Sequence, residues 1–216
     1  MPRDNHPRER QARALARKKP KRPPFDRVLI VTEGTKTEPL YFDDIRRQMR
    51  IASAHIAVLP STGTEPIQVV EYAEAKFLET REYECVFAVF DRDDHRTFNQ
   101  ALTRARTLDS TLKNAERQSV RFFAVPTVPC FELWLLLHYQ ECVAFNHRTE
   151  VFSKLNDHIS GYTKGAKDIY ALTEPKIPDA ATRAAHLRRQ FKPDTGTDPY
   201  TDVDTLVERL RSIRRV

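Results

Sequence analysis

The 216-residue chain has few thiols and no long apolar run. Its three cysteines, Cys85, Cys130 and Cys142, are odd in number, scattered and without C-x-x-C spacing. That argues against a disulfide framework or a zinc site and is expected of a protein in a reducing cytoplasm. The longest strictly apolar runs, Cys85–Phe90 and Leu133–Leu137, fall far short of the ~20 residues that span a bilayer, so no membrane is expected. No apolar segment follows the charged N-terminus, so no secretory signal is expected either. A phosphate-cradling P-loop is missing as well. Gly34-Thr35-Lys36-Thr37 lacks both the required first glycine and the direct Gly-Lys step. There is no internal repeat.

What is present is a balance of 40% hydrophobic and 31% charged residues, which suits a folded globular chain. The net charge of +6 is unevenly placed. Residues 1–24 carry nine basic groups against Asp4 and Glu9, while the remainder is close to neutral. Arg13, Arg17, Lys18, Lys19, Lys21 and Arg22 therefore form a basic arm suited to nucleic-acid phosphates, the alternative being a solvated tail that aids solubility. Pro20, Pro23 and Pro24 make a stiff lead from this arm into the body.

From there strands and helices alternate. Val28–Thr32, His55–Leu59, Cys85–Phe90 and Val120–Val125 read as short buried strands. Helices are predicted at about 38–51, at about 97–116, and after Thr64, which can cap a helix with Pro66 in its first turn. Val70, Ala73, Phe77 and Leu78 form the inward face of that last helix. This β-α-β-α-β-α-β order predicts an α/β domain over 25–130 with a parallel sheet and right-handed crossovers. Residues 131–216 read as a helical extension, opening with an apolar helix at Phe131–Tyr139. It closes with an amphipathic helix marked by Val203, Leu206, Val207, Leu210 and Ile213, capped by Thr201 or Asp202.

Two acidic clusters follow strands directly. Glu33 and Glu38 lie after the first strand, and Asp91-Arg92-Asp93-Asp94 lies after the third. Parallel strands finish on one edge of their sheet, so these clusters share the rim where open α/β sheets place ligands. Carboxylates converging there would resist ionisation unless a cation joined them. Oxygen donors without a Cys or His cluster favour Mg²⁺ or Mn²⁺ over zinc. In Asp91-x-Asp93 both side chains leave one face if the strand continues, and diverge if it turns. The plainer alternative is a turn in which Asp94 caps the next helix. Lys36, in the loop after the first strand, is a candidate phosphate contact. His138 is expected to pack on its helix, His95 to be exposed, and Trp134 with its leucine neighbours to lie in the core.

A strand followed by Glu33-Gly34 and a later strand followed by Asp91-x-Asp93 resembles the Toprim domain of topoisomerases, primases and OLD-type nucleases. More closely, the segments Val31 to Phe42, Phe131 to Tyr139, Tyr162-Thr163-Lys164 and Pro199 to Val203 resemble motifs of the RloB family. The resemblance implies a Toprim-like, mostly parallel sheet flanked by helices. It further implies a metal-dependent nuclease acting on RNA, tRNA included, or DNA, and serving in antiphage abortive infection beside an AAA- or ABC-type ATPase partner. By position, Glu33 would be metal ligand or general base, and Asp91 and Asp93 the metal-binding pair. Glu38, five residues after Glu33 rather than four, would be a further ligand, as would Glu132 beside the same rim. Lys164 would stabilise transition-state charge. A non-catalytic nucleic-acid-binding subunit, or a regulatory subunit of the ATPase complex, is the alternative.

Overall fold

The computed structural model describes residues 26–213 except 54, 94, 145–146 and 197–198. The basic arm, with Arg13, Arg17, Lys18, Lys19, Lys21 and Arg22, lies outside the described residues, as does Asp94. Four strands run parallel in the spatial order β2-β1-β3-β4: β1 (Val28–Thr32), β2 (Ile56–Pro60), β3 (Cys85–Asp91) and β4 (Arg121–Val128). A two-residue β5 (Tyr200–Thr201) pairs antiparallel with Val128 and Thr127 at the end of β4. The extension thus contributes a strand that no sequence pattern announced, because two residues are too few for alternation to register.

The helices are α1 (Thr37–Gln48), α2 (Pro66–Thr80), α3 (Phe98–Leu108), α4 (Glu132–Leu136), α5 (Arg148–His158), α6 (Ile169–Thr173), α7 (Ile177–Gln190) and α8 (Val203–Ser212). Alternation along the strands decides which helix covers which face. Leu29, Val31, Val86, Ala88 and Phe90 meet Val70, Phe77, Phe98 and Leu102 of α2 and α3. Val28, Ile30, Phe87 and Val89 pack with α1 and with the helices beyond residue 131. Both faces are covered, which explains the unbroken apolar character of β1 and β3. Within the second layer, Trp134 is fully buried and donates its indole N–H to Tyr41 Oη at 2.9 Å. His138 is buried beside it with Nδ1 on Trp134 O (2.9 Å), so both residues belong to the core as expected.

Four local expectations are corrected. Leu78 is 43% exposed rather than inward. The buried stripe is Val69, Val70, Ala73 and Phe77, and Leu78 falls one helical step beyond it. The cap of α2 is Glu65 rather than Thr64, with Gln68 Oε1 accepting the Glu65 N–H at 3.1 Å. Helix α3 ends at Leu108 instead of near 116 because Asp109 turns out to accept from Phe122 N (3.0 Å) and Arg121 Nε (2.8 Å). Those bonds tie the end of the helix to the start of β4, and residues 110–120 form a turn closed by a Lys113–Ser119 bridge between them. Similarly the apolar helix after β4 spans only Glu132–Leu136, although Leu133 to Leu137 are all fully buried.

Strand β1 connects leftward to β2, and β3 connects rightward to β4. The C-terminal ends of β1 and β3 therefore flank the point where the winding reverses, the crevice that α/β sheets use for ligands.

Candidate functional site

Both strand ends at this crevice are acidic, and they are bonded to each other. Glu33 N donates to Val89 O (2.9 Å), continuing the sheet one residue past β1. The Glu33 carboxylate Oε2 in turn accepts the Asp91 N–H at 3.0 Å. Next in the chain, Thr32 Oγ1 donates to Gly34 O (2.9 Å) and closes a tight turn into α1. Glycine leaves room at that turn for the Glu38 side chain. A Cβ on Gly34 would lie 2.1 Å from Glu38 Oε2, so the Glu38 side chain occupies the space a larger residue would need.

Glu38 sits in the first turn of α1 and is only 7% exposed. Burial pushes its pKa from 4.5 up to about 7, with Glu132 and Glu33 adding to the rise while its own amide and Lys164 oppose it. Asp91, the last residue of β3, is 8% exposed. Burial first, then Glu38, Glu33, Glu132 and Asp93, push its carboxyl well above the usual range. Glu33 is raised in the same direction, again mainly by burial. These groups are close enough to resist one another's ionisation.

Glu132 opens α4 and is 1% exposed. Its Oε1 accepts from Tyr162 Oη (3.3 Å) and lies 3.8 Å from Lys164 Nζ, while its buried Oε2 has no hydrogen-bond partner. A buried carboxylate oxygen without a donor is costly and calls for a ligand. Lys164 is held in place by backbone features: Gly165 N donates to Thr37 Oγ1 (3.2 Å), and both Gly161 and Gly165 adopt positive φ. The loop carrying Lys164 is thus pinned onto the start of α1, beside Lys36.

Asp93 departs from Asp91. The strand stops at Asp91, and Asp93 has φ of 34°, so its side chain diverges and pairs with Arg148 Nη1 at 2.8 Å. It remains close enough to raise the pKa of Asp91 and Glu33. His95, expected to be exposed, is half-buried. Its Nε2 lies 3.2 Å from Glu33 Oε1 and its Nδ1 3.3 Å from Glu65 Oε1. Glu65 Oε2 accepts from Thr97 Oγ1 (2.8 Å), which fixes the outer end of this chain of contacts. His95 was signalled only by lying two residues after Asp93. Arg148 carries no signal, and Tyr162 is marked only as part of the Tyr162-Thr163-Lys164 motif, not as a partner of Glu132.

The resulting cleft measures about 360 Å³. It brings Glu33, Glu38, Asp91 and Asp93 together with Lys36, His95, Arg148 and Lys164, and Glu132 lies behind this lining. The donors are hard oxygens without thiolate or clustered imidazole, which fits Mg²⁺ or Mn²⁺ in chemistry. The partnerless Glu132 Oε2 and the raised Asp91 and Glu38 carboxyls fit it too. Among the described residues, however, no three His, Cys, Asp or Glu side chains are arranged to hold a metal ion as they stand. In this arrangement Asp93 is engaged by Arg148, Glu33 by His95 and the Asp91 amide, and Glu132 by Tyr162 and Lys164.

Fold and site together define a mixed α/β protein with a buried acidic cleft at the crossover point of a mostly parallel sheet. The chain belongs to the RloB-like protein family, whose family model matches residues 28–210, from β1 into α8. No curated protein and no solved structure matches it. No helix among the described residues is long and apolar enough to cross a membrane.

Proposed function

We propose that this protein is a metal-dependent phosphodiesterase that cleaves nucleic acid, with a Toprim-like catalytic core. The observation that supports it best is the buried cluster of Glu33, Glu38, Asp91 and Glu132, in which burial and the neighbouring acids raise the pKa of Glu38 and Asp91 and Glu132 Oε2 has no donor. Glu33, Asp91 and Asp93 would hold Mg²⁺ or Mn²⁺, with Glu38 and Glu132 completing the shell. Bound there, such an ion would lower the pKa of its water and offset charge at phosphorus. The chain's own side chains do the rest. Lys164, Lys36 and Arg148 present positive charge at the cleft and orient a phosphate. Glu33, fixed by the Asp91 amide and faced by His95, would serve either as a ligand to that ion or as the base that takes a proton from attacking water.

Membership of the RloB-like family supports a role as effector in antiphage abortive infection, restrained by an AAA- or ABC-type ATPase partner, with RNA (tRNA included) or DNA as substrate. The free, buried cysteines support a reducing cytoplasmic setting. A second reading, a nucleic-acid-binding or regulatory subunit without turnover, is favoured by one observation: the acids as arranged do not themselves enclose a metal.

The test is incubation with Mg²⁺ or Mn²⁺ and total RNA or plasmid, alone and with the proposed AAA- or ABC-type ATPase partner, followed by sequencing of the ends produced. Defined ends from the wild type and none from Asp91→Ala, at unchanged melting temperature, are expected. Wild-type cleavage by Asp91→Ala would overturn the assignment. Salt-sensitive binding that persists in EDTA, with no product under any metal, would establish the second reading.

A further inference from the structure

A second concavity of about 410 Å³ adjoins the acidic cleft and shares two of its walls, Arg148 and Lys164. Its other lining residues are Thr149, Phe152, Ser153 and Asn156. With Arg148 these occupy positions i, i+1, i+4, i+5 and i+8 of α5, one continuous stripe of the helix. Val151 and Leu155, on the flanking face, are buried and anchor α5 to the core. The stripe is therefore presented by a fixed element rather than by a loop.

Its chemistry changes along its length. At one end stand the cations Arg148 and Lys164, which also border the acidic cleft. Beyond them lies the half-buried ring of Phe152, seated against Tyr162 with centroids 5.2 Å apart. Tyr162 donates to Glu132, so this ring pair abuts the acidic cluster directly. Asn156 Nδ2 donates back to Phe152 O (3.1 Å), which orients the carboxamide beside the ring and leaves its oxygen as an acceptor. An aromatic face, a carboxamide and hydroxyls, adjoined by cations, complement a heterocyclic base joined to a phosphate.

We propose that this stripe of α5 seats the unpaired base of a single-stranded nucleic acid whose phosphate lies between Arg148 and Lys164. The placing of that phosphate rests on the reading of the acidic cleft given above, whereas base recognition belongs to α5 alone. A base held in a duplex is stacked on both sides and cannot reach Phe152 without being extruded. The site thus selects loops, overhangs and single strands.

The experiment is anisotropy of the full-length chain in EDTA, with a fluorescein-labelled single strand of about 12 nucleotides, as RNA and as DNA, and the same strand annealed to its complement. Phe152→Leu keeps apolar packing on Tyr162 but removes the aromatic face, and Phe152→Tyr restores it. The single strand is expected to bind roughly tenfold more tightly than the duplex, and Phe152→Leu to lose roughly tenfold of that affinity while Phe152→Tyr keeps it. Equal binding of single strand and duplex, no binding of the single strand, or indifference to Phe152→Leu overturns the proposal. Phe152-dependent binding without any cleavage would uphold it and refute the nuclease reading. Cleavage that ignores Phe152→Leu would do the reverse.

Discussion

Glu33 Oε2 accepts the backbone N–H of Asp91 at 3.0 Å, joining the ends of β1 and β3 across 58 positions of sequence. The same carboxylate faces His95 through its other oxygen. One side chain therefore serves both the sheet's edge and the cleft. Glu33→Gln keeps an acceptor for the Asp91 amide but removes the charge. It is expected to melt within about 1 kcal/mol of the wild type while losing metal-dependent cleavage, as thermal unfolding and an end-mapping assay on one preparation would report.

Gly34 supplies a sharper geometric test. In Gly34→Ala the new methyl would overlap Glu38 Oε2, so either the turn or the carboxylate must move. A destabilisation of about 1–3 kcal/mol is expected, the range for overpacking a filled site. Cleavage should fall further than stability explains, because Glu38 is displaced. Pairing Gly34→Ala with Glu38→Ala, which vacates the space, should recover most of the lost stability in urea unfolding.

The pH dependence of stability follows from Glu38. Its pKa is raised from 4.5 to about 7, so the folded chain holds a proton that the unfolded chain releases. That contribution is complete below the unfolded value and is lost as pH rises through about 7. In EDTA the protein is expected to lose on the order of 3 kcal/mol between pH ~5 and pH ~8 from this group, with Asp91 shifted in the same direction. His138 acts oppositely. Burial lowers its pKa to about 4, so its contribution is lost as pH falls from its ordinary value of 6.5 toward 4. A melting profile that stays flat between pH ~5 and pH ~8 in the wild type, or keeps its full slope undiminished in Glu38→Gln, would contradict this account.

Much of this was legible in the chain itself. Unbroken apolar runs mark β1 and β3 because both sheet faces are covered, and parallel strands oblige their acidic ends to share a rim. What could not be read depends on contacts across the fold. The partner of Asp93 is Arg148, 55 positions later and beyond the sheet, and His95 is half-buried between Glu33 and Glu65, the latter from the cap of α2. Likewise β5 is too short to leave a pattern, and Asp109 ended α3 through bonds to a strand that follows it.

Lys164 and Trp134 separate chemistry from packing. Lys164 is exposed and pinned by backbone contacts, so Lys164→Ala should leave the melting temperature nearly unchanged while lowering turnover roughly 10²–10³-fold. Trp134 is fully buried and bonded to Tyr41. Trp134→Ala should cost about 3–5 kcal/mol, yet the molecules that remain folded should cleave at the wild-type rate. Comparing turnover per folded molecule with the melting midpoint checks both.

The most direct measurement is a Mn²⁺ titration at pH ~8, read as loss of the free-ion electron paramagnetic resonance signal, with Mg²⁺ as competitor. The wild type should take up Mn²⁺ and release it to excess Mg²⁺, and Asp91→Ala should take up none while melting normally. If the wild type leaves the free-ion signal untouched, or Asp91→Ala binds as the wild type does, then Glu33 and Asp91 do not meet over a cation.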